Sequence, residues 1–343
     1  MKVPKATQLR SGSWFVRLRI DGKDIGITRQ TEKEAIAEAM ALKAGIKENA
    51  AKAPKDMTLR EAIDEYIEMR EATLSPSTIR GYKIIRDNRF SMVMDKTINR
   101  TTDKMYQQAL NADARNYSAK TVRNTWGFIS SVLKTVANRD VNCSTPQVIV
   151  KEHAFLEPEQ ITTFVDAIKG HSKEIPMLLA LHGLRASEVL DVTWKDIDLK
   201  KRIIRVRGSA VLDSDNKLIH KETNKTSSSR RDVPIMIPRL SAAVLEAEKI
   251  GEYICDFTPP ALHHAITRVC KANDLPLVGI HGLRHSFASL CYHLGLPEEM
   301  TMKLGGWNDS GTMRKIYTHL ASKDIHKYTT ALEEFFSKST GNA

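Results

Sequence analysis

Residues 13–20, SWFVRLRI, alternate apolar and basic positions, the period of a half-buried strand. The DGK that follows reads as a hairpin turn and DIGITRQ as the returning strand. TEKEAIAEAMALKAG then predicts a helix, with Thr31 as N-cap, Glu34 at the capping-box position and Gly45 as C-cap. The expected unit is a small ββ(β)α fold whose exposed strand face carries Arg17, Arg19 and Lys23.

KENAAKAPKD, residues 47–56, is polar and reads as a linker. Four segments with helical periodicity follow. These are 58–71, 75–88 with Ser75 as cap and Pro76 in the first turn, TDKMYQQALNA, and 118–140 with another serine cap. Lys120, Arg123, Lys134 and Arg139 fall along the last of them. A second linker covers 140–153. Beyond it the pattern is mixed. Helices are expected at 158–169, around 174–182, over ASEVLDVTW, and at 240–249, 259–272 and 283–294. Between them, 202–237 predicts three strands: RIIRVRGSAVL, KLIHKET and RRDVPIM. The fold class is therefore multidomain α+β: a small ββ(β)α unit over 1–50, a helical domain over 55–140, and a mostly helical domain with a small antiparallel sheet over 153–325. A tail over 326–343 predicts a helix with Leu332, Phe335 and Phe336 on one face.

The chain's 343 residues allow two or three domains with real cores. Its net charge of +11 makes polyanions, nucleic acid first, the natural partners. A basic sheet face such as that of Arg17, Arg19 and Lys23 can dock in a DNA groove, although a merely solvated face fits as well. No apolar run approaches the roughly 20 residues of a membrane span, and MKVPKATQLRSGSW lacks a signal peptide's apolar core, so a cytosolic protein is expected. Cys143, Cys255, Cys270 and Cys291 are scattered, which predicts reduced core residues rather than disulfides or a zinc site.

The tetrapeptide HGLR occurs twice, in LALHGLRASEVL and in VGIHGLRHSFASL. The flanks do not match, so it is not a repeat. Arg185 and Arg284 each stand near the predicted start of a helix, where free N–H groups and the positive end of the dipole favour an anion. Two guanidiniums there could clamp one phosphate, with His281 three residues before Arg284. LGGWNDSGTMRKIYTHL follows at 304–320.

With that last segment the sequence resembles the tyrosine recombinases, the phage integrase family. The resemblance is strong over the last domain and extends in outline to the whole chain. It rests on five boxes in order: HGLRASE with Arg185 and Glu188; NKTSSSRRDVPI with Lys225; HGLRH with His281, Arg284 and His285; LGGW with Trp307; and IYTH with Tyr317. His182 stands where the family usually has threonine, and the step from Trp307 to Tyr317 is one residue longer than usual, which leaves Gly306 and Asn308 as alternative occupants of that position.

The resemblance implies cleavage of a DNA phosphodiester by Tyr317, leaving a 3′-phosphotyrosyl link and a 5′-hydroxyl. Arg185, Arg284, His281 and Trp307 would stabilise the charge that develops on phosphate oxygens. Lys225 would protonate the leaving oxygen, with Lys221 as second choice. Glu188 and His285 would orient the clamp. No metal, cofactor or ATP is implied. The first unit resembles an arm-type DNA-binding domain, and the helical unit a core-binding domain with Lys120 and Arg123 toward DNA. The family precedent adds double-stranded attachment sites, a homo-tetramer resolving a Holliday junction, an accessory bending or excision factor, and a tail exchanged between protomers or folded back on its own. Two rival readings are a type IB topoisomerase activity, which would relax plasmids without recombinants, and a silent DNA-binding regulator, which need not keep Tyr317.

Overall fold

The computed structural model describes residues 5–9, 11–20, 23–40, 57–149, 154–221, 230–311, 313, 320 and 329–330. The chain divides into two compact units, Met1–Ile149 and Val150–Ala343. The division falls inside the predicted second linker.

In the first unit, β1 (Ala6–Gln8), β2 (Trp14–Ile20) and β3 (Lys23–Arg29) form an antiparallel sheet in that order. Residues 32–40 are helical, α1. Thr31 and Glu34 exchange the two hydrogen bonds of a capping box, at 3.2 and 3.3 Å. The alternation in β2 buries Val16 and Leu18 against Ile27, Ala35 and Ala39, and leaves Arg17 exposed. The third strand and the antiparallel pairing of β2 with β3, which runs to the Ile20–Lys23 pair, match the expected ββ(β)α unit.

The helical part holds α2 (Leu59–Glu68), α3 (Pro76–Asn88), α4 (Ser91–Met94), α5 (Asp103–Asn116) and α6 (Ala119–Val136). Thr58, Ser75, Thr102 and Ser118 each cap their helix through a side-chain oxygen. α6 buries Val122, Trp126, Ile129 and Leu133 at helical spacing against α2 and α5. The helix expected over 118–140 ends at Val136, so Arg139 lies beyond it. Its guanidinium donates to the Ile98 carbonyl and to Asp103 at 3.0 Å, a structural tie rather than a place on a basic helix face.

The second unit contains α7 (Pro158–Ala167), α8 (Glu174–Leu181), α9 (Ala186–Val189), β4 (Ile197–Asp198), β5 (Ile203–Val206), β6 (Ser209–Leu212), β7 (Leu218–Lys221), β8 (Arg231–Pro234), α10 (Pro238–Glu246), α11 (Pro259–Ala272), α12 (Ile280–His293) and α13 (Glu298–Gly305). α8 is buried on every side, which explains why its sequence is apolar without periodicity. It packs against α12 and α10 at the centre of the core.

Two expectations need correction here. The segment 202–212 is not one strand. It breaks at Arg207–Gly208, so β5 joins the sheet β4–β5–β8 while β6 pairs with β7 in a separate ribbon. A Cβ at Gly208 would lie 2.2 Å from the Asp191 carboxylate and 2.6 Å from the Lys221 carbonyl, so the break is a close approach only glycine permits. ASEVLDVTW is helical only over α9, after which Thr193 caps a single 3-10 turn.

Candidate active site

The two HGLR strings adopt different conformations. Residues 182–185 form the turn that ends α8, with Gly183 at φ +82°. A Cβ there would stand 2.8 Å from the Phe287 ring. Residues 281–284 lie inside α12. Gly282 is needed for another reason: a Cβ would meet the Ala154 carbonyl at 2.9 Å and the Val278 side chain. Arg284 therefore does not head a helix but sits in the second turn of α12, and Arg185 heads a helix of only four residues.

What brings the arginines together is the turn that ends α13. A helix leaves its last carbonyls without intrahelical partners, and its C-terminal end attracts cations. Here three guanidiniums take three successive carbonyls. Arg231 donates to Leu304 O at 3.2 Å, Arg284 to Gly305 O at 2.8 Å, and Arg185 to Gly306 O. Arg284 also donates to the Gly183 carbonyl.

The LGGW string is legible from this geometry. Gly306 has φ +69°, and a Cβ on it would run into the Arg231 guanidinium at 2.6 Å. A Cβ on Gly305 would overlap the Trp307 ring at 1.8 Å. That ring lies under the Arg284 guanidinium, 3.8 Å from its centroid, and stacks on Phe287 with ring planes 4° apart. Trp307 is half-buried and Asn308 is exposed.

Glu188 is the hub. Its buried carboxylate accepts from Arg185 Nη1 at 2.8 Å and from the Arg185 backbone N–H at 2.8 Å. It also accepts both Nη groups of Arg231, at 3.1 and 2.9 Å. Burial works against its charge, but the hydrogen bonds from Arg231, with Arg185 in support, hold its pKa below the usual carboxylate value. Burial, then the neighbouring Arg185, pushes Arg284 down to about 9, still cationic at neutral pH. Three guanidiniums against one carboxylate leave the cluster net positive. A third of the Arg185 side chain is exposed, and Arg284 makes no further hydrogen bond to described residues through Nε or Nη2. Such a surplus suits an oxyanion.

Of the remaining expected residues, His281 is exposed and His285 half-buried on α12. Lys225, Tyr317 and the tail beyond 326, apart from Thr329 and Thr330, lie outside the described residues. In the first unit Arg17, Lys120 and Arg123 are exposed, while the side chains of Arg19 and Lys23 lie outside what is described.

Sequence reasoning assigned no structural role to Arg231, His182, His220 or Asp191. Arg231 was visible in RRDVPI, but nothing in a strand pattern marks one arginine as buried. His182 is fully buried: its Nδ1–H donates to Leu178 O at 2.7 Å, and Nε2 accepts from the N–H groups of Met236 and Ile237 at 3.1 and 3.2 Å. It thus ties the end of α8 to the chain leaving β8, and burial pushes its pKa down to about 4. His220 and Asp191 form the third feature, at the break in the strands, with Nδ1–H donating to Oδ1 at 2.8 Å.

The phage integrase family model matches residues 154–324. This chain belongs to the phage integrase family of tyrosine recombinases. It is 24% identical over 365 residues to a XerC-like tyrosine recombinase of Caldanaerobacter subterraneus subsp. tengcongensis, covering 90% of each chain. It is also 24% identical to the integrase of Staphylococcus phage L54a, covering 82% of this chain and 94% of that one. Among solved structures, the Tn1549 transposon integrase in complex with a circular intermediate DNA shares the fold at a TM-score of 0.62 and 17% identity, over 79% of this chain and 99% of that one. The matched segment of this tyrosine recombinase contains Arg185, Glu188, Arg231, Arg284 and Trp307, and also Lys225 and Tyr317.

Proposed function

We propose that this tyrosine recombinase is the integrase of a mobile element, cutting and rejoining duplex DNA at specific sites through Tyr317. The observation that carries the reading is the convergence of Arg185 and Arg284 on adjacent carbonyls of one turn, in a net-positive cluster with N–H groups to spare. A scissile phosphate held there would have its non-bridging oxygens among guanidiniums, which is where charge accumulates in the transition state.

In the forward step the Tyr317 oxygen bonds to phosphorus and the bond from phosphorus to the 5′-oxygen breaks. The phenolic proton goes to solvent, and Lys225 gives a proton to the departing 5′-oxygen. Attack by a 5′-hydroxyl of a partner strand reverses these events and frees the tyrosine, so bond energy is conserved and no ATP is consumed. Glu188 holds Arg185 in place. His281 and Trp307 add donors toward the phosphate, and His285 supports Arg284 from its own helix.

The remaining parts fit the same role. The exposed Arg17, with Arg19 in the same strand and Lys23 at the start of β3, supports reading 1–50 as an arm-type DNA-binding domain. Lys120 and Arg123 give 55–140 a basic face for the core site. Residues 153–325 then form the catalytic domain, and 326–343 a tail either exchanged between protomers of a tetramer or folded back on its own. DNA in the Tn1549 complex supports duplex DNA as the partner. An accessory bending factor and action in the cytoplasm of a host cell complete the reading. No helix among the described residues is long and apolar enough to cross a membrane.

The test is direct. Full-length protein is incubated with plasmid carrying the DNA that flanks its gene, and junctions are sequenced to map the crossover core. Nicked suicide duplexes of that core are then used to trap protein–DNA adducts. Wild type should give a covalent 3′ adduct that Tyr317→Phe abolishes while DNA binding persists. Adducts that survive Tyr317→Phe would refute the assignment.

A further inference from the structure

β7 ends at Lys221 and β8 begins at Arg231, so the segment of chain that contains Lys225 connects these two strands. Both strands are fastened to one short segment. On the β8 side, Arg231 is bonded to Glu188 through both Nη groups. On the β7 side, His220 donates to Asp191 at 2.8 Å. Glu188 and Asp191 are one turn apart and joined by the Asp191 N–H to Glu188 carbonyl bond at 3.0 Å. The same Glu188 orients Arg185.

The His220–Asp191 pair is a built contact. Both side chains are largely buried, Asp191 more deeply than His220. The imidazole stacks on Tyr253 at 3.6 Å between centroids, 24° from parallel. Tyr253 is held by a backbone bridge to Thr193, two residues from Asp191, with the flanking Ile254 N–H to Val192 carbonyl bond at 3.0 Å. Gly208 gives way to the carboxylate and to the Lys221 carbonyl at once. Burial raises the Asp191 pKa and the His220 bond opposes that rise. A surface hairpin with no positional duty has little reason to bury a carboxylate and an imidazole at its base.

We propose that His220 and Asp191 are positioning residues for the leaving-group proton: together they fix the β6–β7 ribbon to the Arg185–Glu188 segment, so that the lysine of the following loop meets the 5′-oxygen of the phosphate held by the arginines. This rests on the reading of Lys225 as general acid. Neither residue touches DNA. The pair ties the end of the ribbon to the segment that carries Arg185, and a general acid is sensitive to such placement.

The experiment compares two suicide duplexes of the mapped core, identical except for oxygen or sulfur at the 5′-bridging position. Sulfur departs as a thiolate and needs no proton. Single-turnover cleavage is measured for full-length wild type, Lys225→Ala, His220→Ala, Asp191→Asn and His220→Asn. Lys225→Ala should be slowed about a hundredfold on oxygen and little on sulfur. His220→Ala and Asp191→Asn should be slowed about tenfold or more on oxygen, yet remain within about threefold of wild type on sulfur. His220→Asn, which keeps a donor toward Asp191, should recover most of the oxygen rate. Equal losses on both substrates, or no loss on either, would overturn the positioning role while leaving the lysine assignment standing. If Lys225→Ala is not rescued by sulfur, Lys221→Ala is measured in the same way. Rescue there moves the acid to the ribbon's own end and keeps the inference, whereas failure of both lysines sinks the general-acid reading and this inference with it.

Discussion

The guanidinium of Arg284 lies over the Trp307 ring, 3.8 Å from its centroid, and that ring also stacks on Phe287. The tryptophan is thus a platform that fixes the plane of a buried cation. Arg284→Ala is expected to lower single-turnover cleavage by orders of magnitude, and Arg284→Lys nearly as much, since an ammonium cannot reproduce the fork. Trp307→Phe should keep the platform and lose only the indole N–H, so its rate should lie between wild type and Trp307→Ala. Quantifying trapped adduct over time separates the three, and a loss of only a few-fold in Arg284→Ala would remove that residue from contact with the phosphate.

Arg231 carries a separate prediction. Both its Nη groups are committed to Glu188, and its Nε to Leu304. Arg231→Ala leaves a buried carboxylate with only Arg185 as an ionic partner, a situation that costs about 3 kcal/mol or more. Denaturant unfolding of the variant should show that loss. A change below about 1 kcal/mol would mean that water replaces the guanidinium without penalty.

His182 predicts a pH dependence. Burial depresses its folded pKa from 6.5 to about 4, against the opposing bond to the Leu178 carbonyl, and Nε2 already accepts from two backbone N–H groups. The unfolded chain therefore takes up a proton near pH 6.5 that the folded chain refuses until about pH 4. The contribution is fully present above 6.5 and falls with pH through that window, by about 1.4 kcal/mol per unit and about 3 kcal/mol in total. His182→Gln cannot titrate, so its stability curve between pH 6.5 and 4 should be flatter by one proton, whatever its absolute stability. An unchanged slope would rule out His182 as the group responsible.

The first unit predicts a division of labour on DNA. Deleting residues 1–50 should spare cleavage of the core duplex and weaken binding to a second, distal site in the flanking DNA, with a reduced salt dependence there. Gel-shift titration of both proteins at two salt concentrations decides this, and equal binding by the two would defeat the arm-domain reading.

The elements whose signal is local were legible in the sequence. Ser75, Ser118 and the Thr31–Glu34 pair marked helix starts correctly because capping is settled within four residues. The alternation of β2 gave Val16 and Leu18 inward and Arg17 outward. What could not be read was decided by partners distant in the chain. RIIRVRGSAVL looks like one strand until Asp191 and Lys221 claim the space at Gly208. Arg284 seemed to head a helix because HGLR at 182–185 does end a turn, yet the same letters at 281–284 lie inside α12. The arginine boxes pointed to one site, but their meeting place, the carbonyls of 304–306, is a backbone feature that no side-chain pattern announces.

All four cysteines of the chain are buried, and burial raises every one of their thiol pKa values, that of Cys255 to about 12. Buried thiols with raised pKa values are expected to react slowly with thiol reagents. Ser131, on the exposed side of α6, can be replaced by cysteine to give a single maleimide dye per protomer. Fluorescence can then follow individual molecules as they close on DNA and hand strands to one another, with no need to strip out native cysteines first.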